Sequence, residues 1–400
     1  MEKFIPVLLG TDINAYGLAR CFHKYYGMHS HAFGYKALTD TAKSKIVDVH
    51  VVEDFETQEV FEKALIDFAL EHKEETLLLI SCSDGYTKLL SHGKDALKPY
   101  YRFNVVDPDL QYQLEDKISF YALCEEKGLP CPKTRVLTGP EKVEDWDVFS
   151  YPVVLKPNDS ISYLHLHFPE KKKAYILHSE EELAEALKHI YEAGYKAEML
   201  LQDYIPGGTD RMAVLNTYSN QKGEVKMMSY GRCLLDEVLP ANIGNYNALV
   251  TEDAPELYEV YKGFLEEIGY VGFGNFDLKY DVRDGQYKVF EMNLRQGRSS
   301  FYMAAGGLNY VEFFVKDMLH LESEGIHLHK EQGLWLYCDP YVLKKYVAEG
   351  DKEYAKQLLK KGFTMTLDYE GDRSLARKLA VWRRRISTIK YYPMYFKEEE

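Results

Sequence analysis

GFGNFDLKYDVRDGQYKVFEMNLRQGRSS, residues 272–300, decides the fold. Two alternating stretches, 272–280 and 286–293, flank Asp284-Gly285, a dipeptide that favours a tight reversal, so the segment reads as a β-hairpin. Alternation puts Asp277 and Lys279 on one face with Phe276 and Leu278 on the other. On the second strand Glu291 and Asn293 share a face, opposite Phe290 and Met292. Pairing the strands brings Asp277 beside Glu291 and gathers two carboxylates and an amide oxygen. Hard oxygen ligands of this kind suit magnesium, which keeps waters and is completed by substrate phosphates. Two adjacent carboxylates in an interior are costly without a cation. The alternative is a solvent-facing hairpin with ordinary charges, and the flanking Phe, Met and Val residues argue against it.

Upstream, the run FIPVLL (4–9) is followed by Gly10-Thr11-Asp12 and a helix expected from Ile13 to Tyr26. A strand at 45–52, a helix over 56–72, a buried strand TLLLISCS (76–83) and another helix after Asp84-Gly85-Tyr86 continue the alternation. Strands alternating with helices imply right-handed crossovers and a parallel sheet, so residues 1–107 are expected to form an open α/β domain. A helix over 114–128, a strand over 149–157 and a helix over 179–194 follow. Ser179 is the expected N-cap of that last helix and Glu182 completes its capping box. EMLLQDYIPGG (198–208) reads as a strand running into a turn. The chain thus divides into 1–107, 108–330 and a mixed segment 331–400 packing on the core.

Two lysines fit a phosphate site. Lys156 ends the buried strand VVLKP, where it acts as a point charge, and Lys117 lies in the helix start LEDKISF. Each is otherwise a surface lysine. An extended backbone at Gln202, Asp203 and Ile205 offers N–H and C=O groups to an adenine edge, or else is an exposed strand end. Asp210, past the turn, is placed to accept ribose hydroxyls.

Taken in this order, the pieces resemble the ATP-grasp superfamily: a strand-end lysine in V-x-L-K-P, the Q-D-Y-I-P-G hinge, then the Asp and the E-x-N-x-R string. The strings FIPVLLGTDINAYGLAR, DKISFY, QDYIPGG, GNYNA and FEMNLRQGRSSF are similar to D-aspartate ligases of Gram-positive bacteria along nearly the whole chain. The resemblance implies an α/β protein, an N-terminal open parallel sheet domain followed by a two-lobed ATP-grasp module. It implies that Lys117 and Lys156 hold ATP phosphates, that the backbone near Gln202, Asp203 and Ile205 binds adenine, and that Asp210 binds ribose. Asp277, Glu291 and Asn293 would hold Mg2+, two ions, with Mn2+ as a substitute. Arg295 would stabilise the acyl phosphate and tetrahedral intermediate, and Arg298, Ser299 and Ser300 would meet the amino acid. The implied reaction activates the β-carboxylate of D-aspartate and joins it to the lysine ε-amine of UDP-MurNAc-pentapeptide, a peptidoglycan precursor. The same chemistry on another amino acid or acceptor, and a nucleotide-binding protein without turnover, are the alternatives. Two departures stand out. Asn275 occupies a position where related ligases carry arginine, and the segment 158–173, expected to close over the triphosphate, lacks glycine.

A formal net charge of −14 argues against broad nucleic-acid binding, which needs Lys and Arg to neutralise phosphates. Six scattered cysteines without a C-x-x-C pair suit a reducing compartment, and no leader or membrane span is read, so the expected location is cytoplasmic. The loop after the first strand lacks G-x-G-x-x-G and is not read as an NAD site; Asp12 and Asn14 are expected to cap the helix. His165 and His167, on one expected strand face, and His327 and His329 lack a third zinc ligand. The basic aromatic stretch RKLAVWRRRISTIKYYPMYF is a solvated face, or contacts an anionic acceptor or, peripherally, a membrane surface.

Overall fold

A computed structural model describes residues 3–140, 149–321 and 323–397. The chain divides into two compact units, neither continuous in sequence: Met1–Gln111 with Gly208–Asp277 and Met292–Glu400, and Tyr112–Gly207 with Leu278–Glu291.

In the first unit β1 (Phe4–Leu9), β2 (Ser30–Gly34), β3 (Val47–Val51) and β4 (Thr76–Ser81) form a parallel sheet in the order β3-β2-β1-β4. Val7, Leu8 and Leu9 are fully buried, as expected of a strand covered on both faces. The short β2, SHAFG, carries too little apolar sequence to be read from alternation. Gly10 turns the chain out of β1 at φ +140°, and a Cβ there would lie 2.9 Å from that of Cys82. Asp12 then caps the helix Ile13–Tyr26, accepting the Asn14 and Ala15 N–H groups at 3.1 and 3.2 Å.

The second unit holds β5 (Thr134–Leu137), β6 (Val153–Pro157), β7 (Tyr175–Leu177) and β8 (Met199–Asp203), antiparallel in the order β5-β8-β6-β7. The helix Glu180–Glu192 lays Leu183, Leu187 and Ile190 into a core with Val153, Leu155 and Leu201. Ser179 caps it as expected, and Glu182 reaches back to the His178 N–H at 2.7 Å. The helix expected over 114–128 is broken. Pro108–Glu115 hands over to Lys117–Lys127 at Asp116, whose carboxylate accepts the Ser119 N–H at 2.9 Å and starts a fresh helix. His165 and His167 follow a short helix, Ser160–Leu164, and lie on no strand.

A third sheet, in the order β13-β12-β9-β10-β11-β14, comprises β9 (Met212–Ser219), β10 (Val225–Asp236), β11 (Tyr246–Thr251), β12 (Gly272–Asp281), β13 (Gln286–Asn293) and β14 (Leu334–Leu336). The expected hairpin is β12–β13, turning through Gly285 at φ +75°. Its tip, 278–291, belongs to the second unit. There the Val289 N–H donates to the Pro130 carbonyl at 2.9 Å, and Tyr121 donates to that of Phe290 at 2.6 Å. Arg283 grips Asp203 and Asp281, each at 2.7 Å. Among the described residues no helix is long and apolar enough to cross a membrane.

Candidate active site

In the second unit β6 delivers Lys156 to the sheet end and the helix Lys117–Lys127 delivers Lys117 from its first turn. Lys156 Nζ donates to the Tyr121 hydroxyl at 2.9 Å and sits 5.0 Å from that ring. Tyr121 lies one helical turn beyond Lys117, on the same face, a spacing visible in DKISFY. Burial pulls the Lys156 ammonium down to about 8, against the Glu291 carboxylate. Lys117 is held below the usual lysine range by burial and then by Lys156. Its ammonium donates to the Pro157 and Asn158 carbonyls at 3.3 and 3.1 Å and to Ser160 at 3.0 Å. Burial thus works against both ammonium groups, and Lys156 works further against Lys117.

The expected adenine edge lies where a paired strand gives way to free backbone. β8 is paired on both sides, by β5 and β6, as far as Asp203, and the Asp203 N–H already donates to the Lys133 carbonyl at 3.0 Å. The Gln202 side chain donates to Thr134 at 2.7 Å and that of Asp203 holds Arg283. The ladder ends there, so the extended backbone that leaves the sheet begins at Tyr204 and runs through the buried Ile205.

The first unit carries a second cluster. Asp277 accepts the Tyr246 hydroxyl at 3.0 Å and the Asn293 amide at 3.4 Å. Asn293 Oδ1 in turn accepts from Arg295 at 3.2 Å, and the same guanidinium nitrogen meets Asp84 at 2.7 Å. Burial works against the charge of Arg295, and Asp84, Asp12 and Asp277 outweigh it. Asp277 and Asn293 supply the hard oxygen donors that magnesium takes. Among the described residues no group of three or more His, Cys, Asp or Glu side chains is placed to hold a metal ion. Asp210 sits in a 3-10 turn beside Arg211 at 3.2 Å.

Asn275 does not face this cluster as a substitute for arginine. It is buried and accepts the Asn216 amide at 3.1 Å, in a network where Ser300 donates to Asn216 and accepts the Gly297 N–H, both at 2.6 Å. The Ser300 hydroxyl thus gives its proton to Asn216, and both Ser300 and Ser299 beside it are buried. Arg298 stacks 4.0 Å from the Tyr337 ring and donates to the Tyr246 carbonyl at 3.2 Å, with the buried Glu237 at 3.4 Å. Next to Asp84, a pocket of about 280 Å³ opens at the carboxyl ends of β1, β2 and β4, between Thr11, Asp12, Tyr35, Glu56 and Tyr86. Open parallel sheets bind ligands at this end.

No family model matches the chain. It is 40% identical over 413 aligned residues to the D-aspartate ligase of Enterococcus faecium (strain Aus0004), covering 100% of this chain and 98% of that protein. Among solved structures, the ADP complex of N5-carboxyaminoimidazole ribonucleotide synthetase superposes with a TM-score of 0.61 at 15% identity, over 96% of this chain and 98% of its own. The biotin carboxylase domain of Hydrogenobacter thermophilus 2-oxoglutarate carboxylase, with MgADP and bicarbonate, gives 0.59 at 16%, over 82% and 72%. The fold is that of the ATP-grasp enzymes. With sequence identity carried from one end to the other, the chain belongs to the D-aspartate ligase family, ATP-grasp ligases that form carbon–nitrogen bonds.

Proposed function

We propose that this chain, in the cytoplasm, activates the β-carboxylate of D-aspartate with ATP and joins it to the lysine ε-amine of UDP-MurNAc-pentapeptide. The observation that carries this reading is the full-length identity to a D-aspartate ligase; the depressed lysine pair supports it from the site.

A carboxylate is a poor nucleophile toward a charged γ-phosphate, so cationic groups must neutralise repulsion first. Lys117 and Lys156 bind the phosphates as point charges. The backbone around Gln202, Asp203 and Ile205 receives adenine, with Ile205 against its face, and Asp210 takes the ribose. Asp277, Glu291 and Asn293 would hold two magnesium ions, for which manganese would substitute; the metal would supply further neutralisation of the phosphate oxygens. Arg295, tethered by Asp84 and reaching Asn293, stabilises negative charge on the acyl group as the amine attacks. With Asn275 engaged in the buried amide network, that charge falls to Arg295. Arg298 is the carboxylate-binding candidate for the amino acid, Ser299 and Ser300 shaping the loop that presents it. The pocket beside Asp84 takes the acceptor's amine-bearing arm between Tyr35 and Tyr86, with Asp12 and Glu56 as acidic partners for an ammonium.

Purified protein with ATP, magnesium and the lysine-containing pentapeptide, offered each D- and L-amino acid in turn, tests this. A product heavier by one aspartyl residue, formed with D-aspartate alone, is expected. Turnover with a different amino acid would keep the chemistry and overturn the substrate.

A further inference from the structure

The helix Leu375–Tyr395, capped by Ser374, uses two faces differently. Inward, Arg377 lies 3.7 Å over the Tyr16 ring and donates to the Asp40 carbonyl. Arg384 pairs with Asp40 at 2.6 Å, Arg385 with Asp339 at 2.7 Å, and Tyr391 donates to Glu237 at 3.2 Å. These anchors hold the helix against the first unit. Outward, Leu375 is 87% exposed, Trp382 58% and Met394 68%, with Leu379 also exposed. At 100° per residue, Leu375, Leu379, Trp382, Ile386 and Pro393 fall within an arc of about 60°. Lys378 flanks that stripe on one side and Arg383 and Lys390 on the other, all exposed. Between 374 and 397 the sequence has seven Lys or Arg and no Asp or Glu, in a chain of net charge −14. Beside the helix a recess of about 380 Å³ is rimmed by Arg373, Lys378, Trp382 and Arg385.

We propose that the outer face of this helix docks the enzyme on an anionic lipid bilayer, lying flat in the headgroup layer. An apolar stripe with an exposed tryptophan, edged by lysine and arginine, is what an interfacial helix presents. Its 21 residues span about 31 Å. Charge selects this occupant: a second copy of the chain would set the same cations against one another, whereas anionic headgroups complement them. The proposal is independent of the amino acid and the acceptor.

The full-length protein is mixed with vesicles of phosphatidylcholine alone or with about one-third phosphatidylglycerol, then sedimented. Binding to the anionic vesicles alone, weakening with salt, is expected, with a blue shift in emission that the W382F variant lacks. Each exposed cation contributes about fivefold in affinity, so K378Q/R383Q/K390Q lowers it by about a hundredfold. Soluble ligase activity of the variants, unchanged, shows that they fold. Equal binding to neutral vesicles, no binding at low salt, or undiminished binding of the triple variant overturns the proposal. So does self-association that L379E abolishes, which would make the face a contact between copies.

Discussion

In the proposed phosphate site, Lys156 should make ATP affinity depend on pH. With burial holding its ammonium near 8 in the free protein, the charged fraction falls from about nine-tenths at pH 7 to about one-thirtieth at pH 9.5. A charge-assisted hydrogen bond is worth about 1.5–3 kcal/mol, or about 10–150-fold in affinity. The ATP dissociation constant, measured without amino acid or acceptor, is therefore expected to rise about 10–30-fold from pH 7 to 9.5. Lys156→Arg, which keeps its charge throughout, flattens the profile. A constant affinity across that range, or the same rise in the arginine variant, refutes the reasoning. The linkage has a second face. The native pKa lies below the unfolded value, so between about 8 and 10.4 the unfolded chain holds more protons and stability increases with pH. The penalty for the buried charge is fully present below about 8 and reaches at most about 3 kcal/mol. Lys156→Met should thus raise the melting temperature of the ligand-free protein at pH 7, with the gain fading toward pH 10, while ATP binding is lost.

Glu291→Gln and Asp277→Asn should each abolish magnesium-dependent ADP formation with the circular dichroism spectrum intact; full activity in either removes that carboxylate from the metal set. Asp84→Asn unties Arg295 at a half-exposed ion pair. It should change stability by less than about 1 kcal/mol yet lower kcat roughly tenfold through lost orientation, and an unchanged kcat would detach Asp84 from the chemistry. Ser300→Ala leaves the Gly297 N–H and Asn216 amide oxygen without a partner, so it should lower stability by about 1–3 kcal/mol. The KM for the amino acid should stay put in the folded fraction, and a steep rise in KM would restore Ser300 to the substrate.

The hairpin was legible because its signals are local: alternation sets the faces of Asp277, Glu291 and Asn293, and Asp284-Gly285 sets the turn. Lys156 was legible for the same reason, at a strand end marked by proline. Its partner Tyr121 was within reach too, since Lys117 and Tyr121 are four apart on one helix. What alternation cannot supply is a partner far away in the chain. Asp84 and Arg295 are 211 residues apart, and Tyr246 and Asp277 come together only because β11 and β12 share a sheet. The pairing at Asp203 was hidden for a related reason: a strand's free edge depends on which neighbours pair with it, and β8 has one on each side. Nor can local pattern show that the Ser300 hydroxyl donates to Asn216, 84 residues away in the chain.

The second unit is built from two lengths of chain, and the shorter is the hairpin tip that gives the longer its bonds at Pro130, Tyr121 and Asp203. Recombination between two such genes within 208–277 therefore has an uneven outcome. A crossover that exchanges the longer segment and leaves 278–291 behind pairs a nucleotide lobe from one parent with a tip from the other. Arg283 and Asp203 would then have to match across lineages, as would the strand that meets Pro130. The unit stays with one parent when a crossover falls before 112 or after 291, so residues 203 and 283 should change together or not at all as these enzymes diverge.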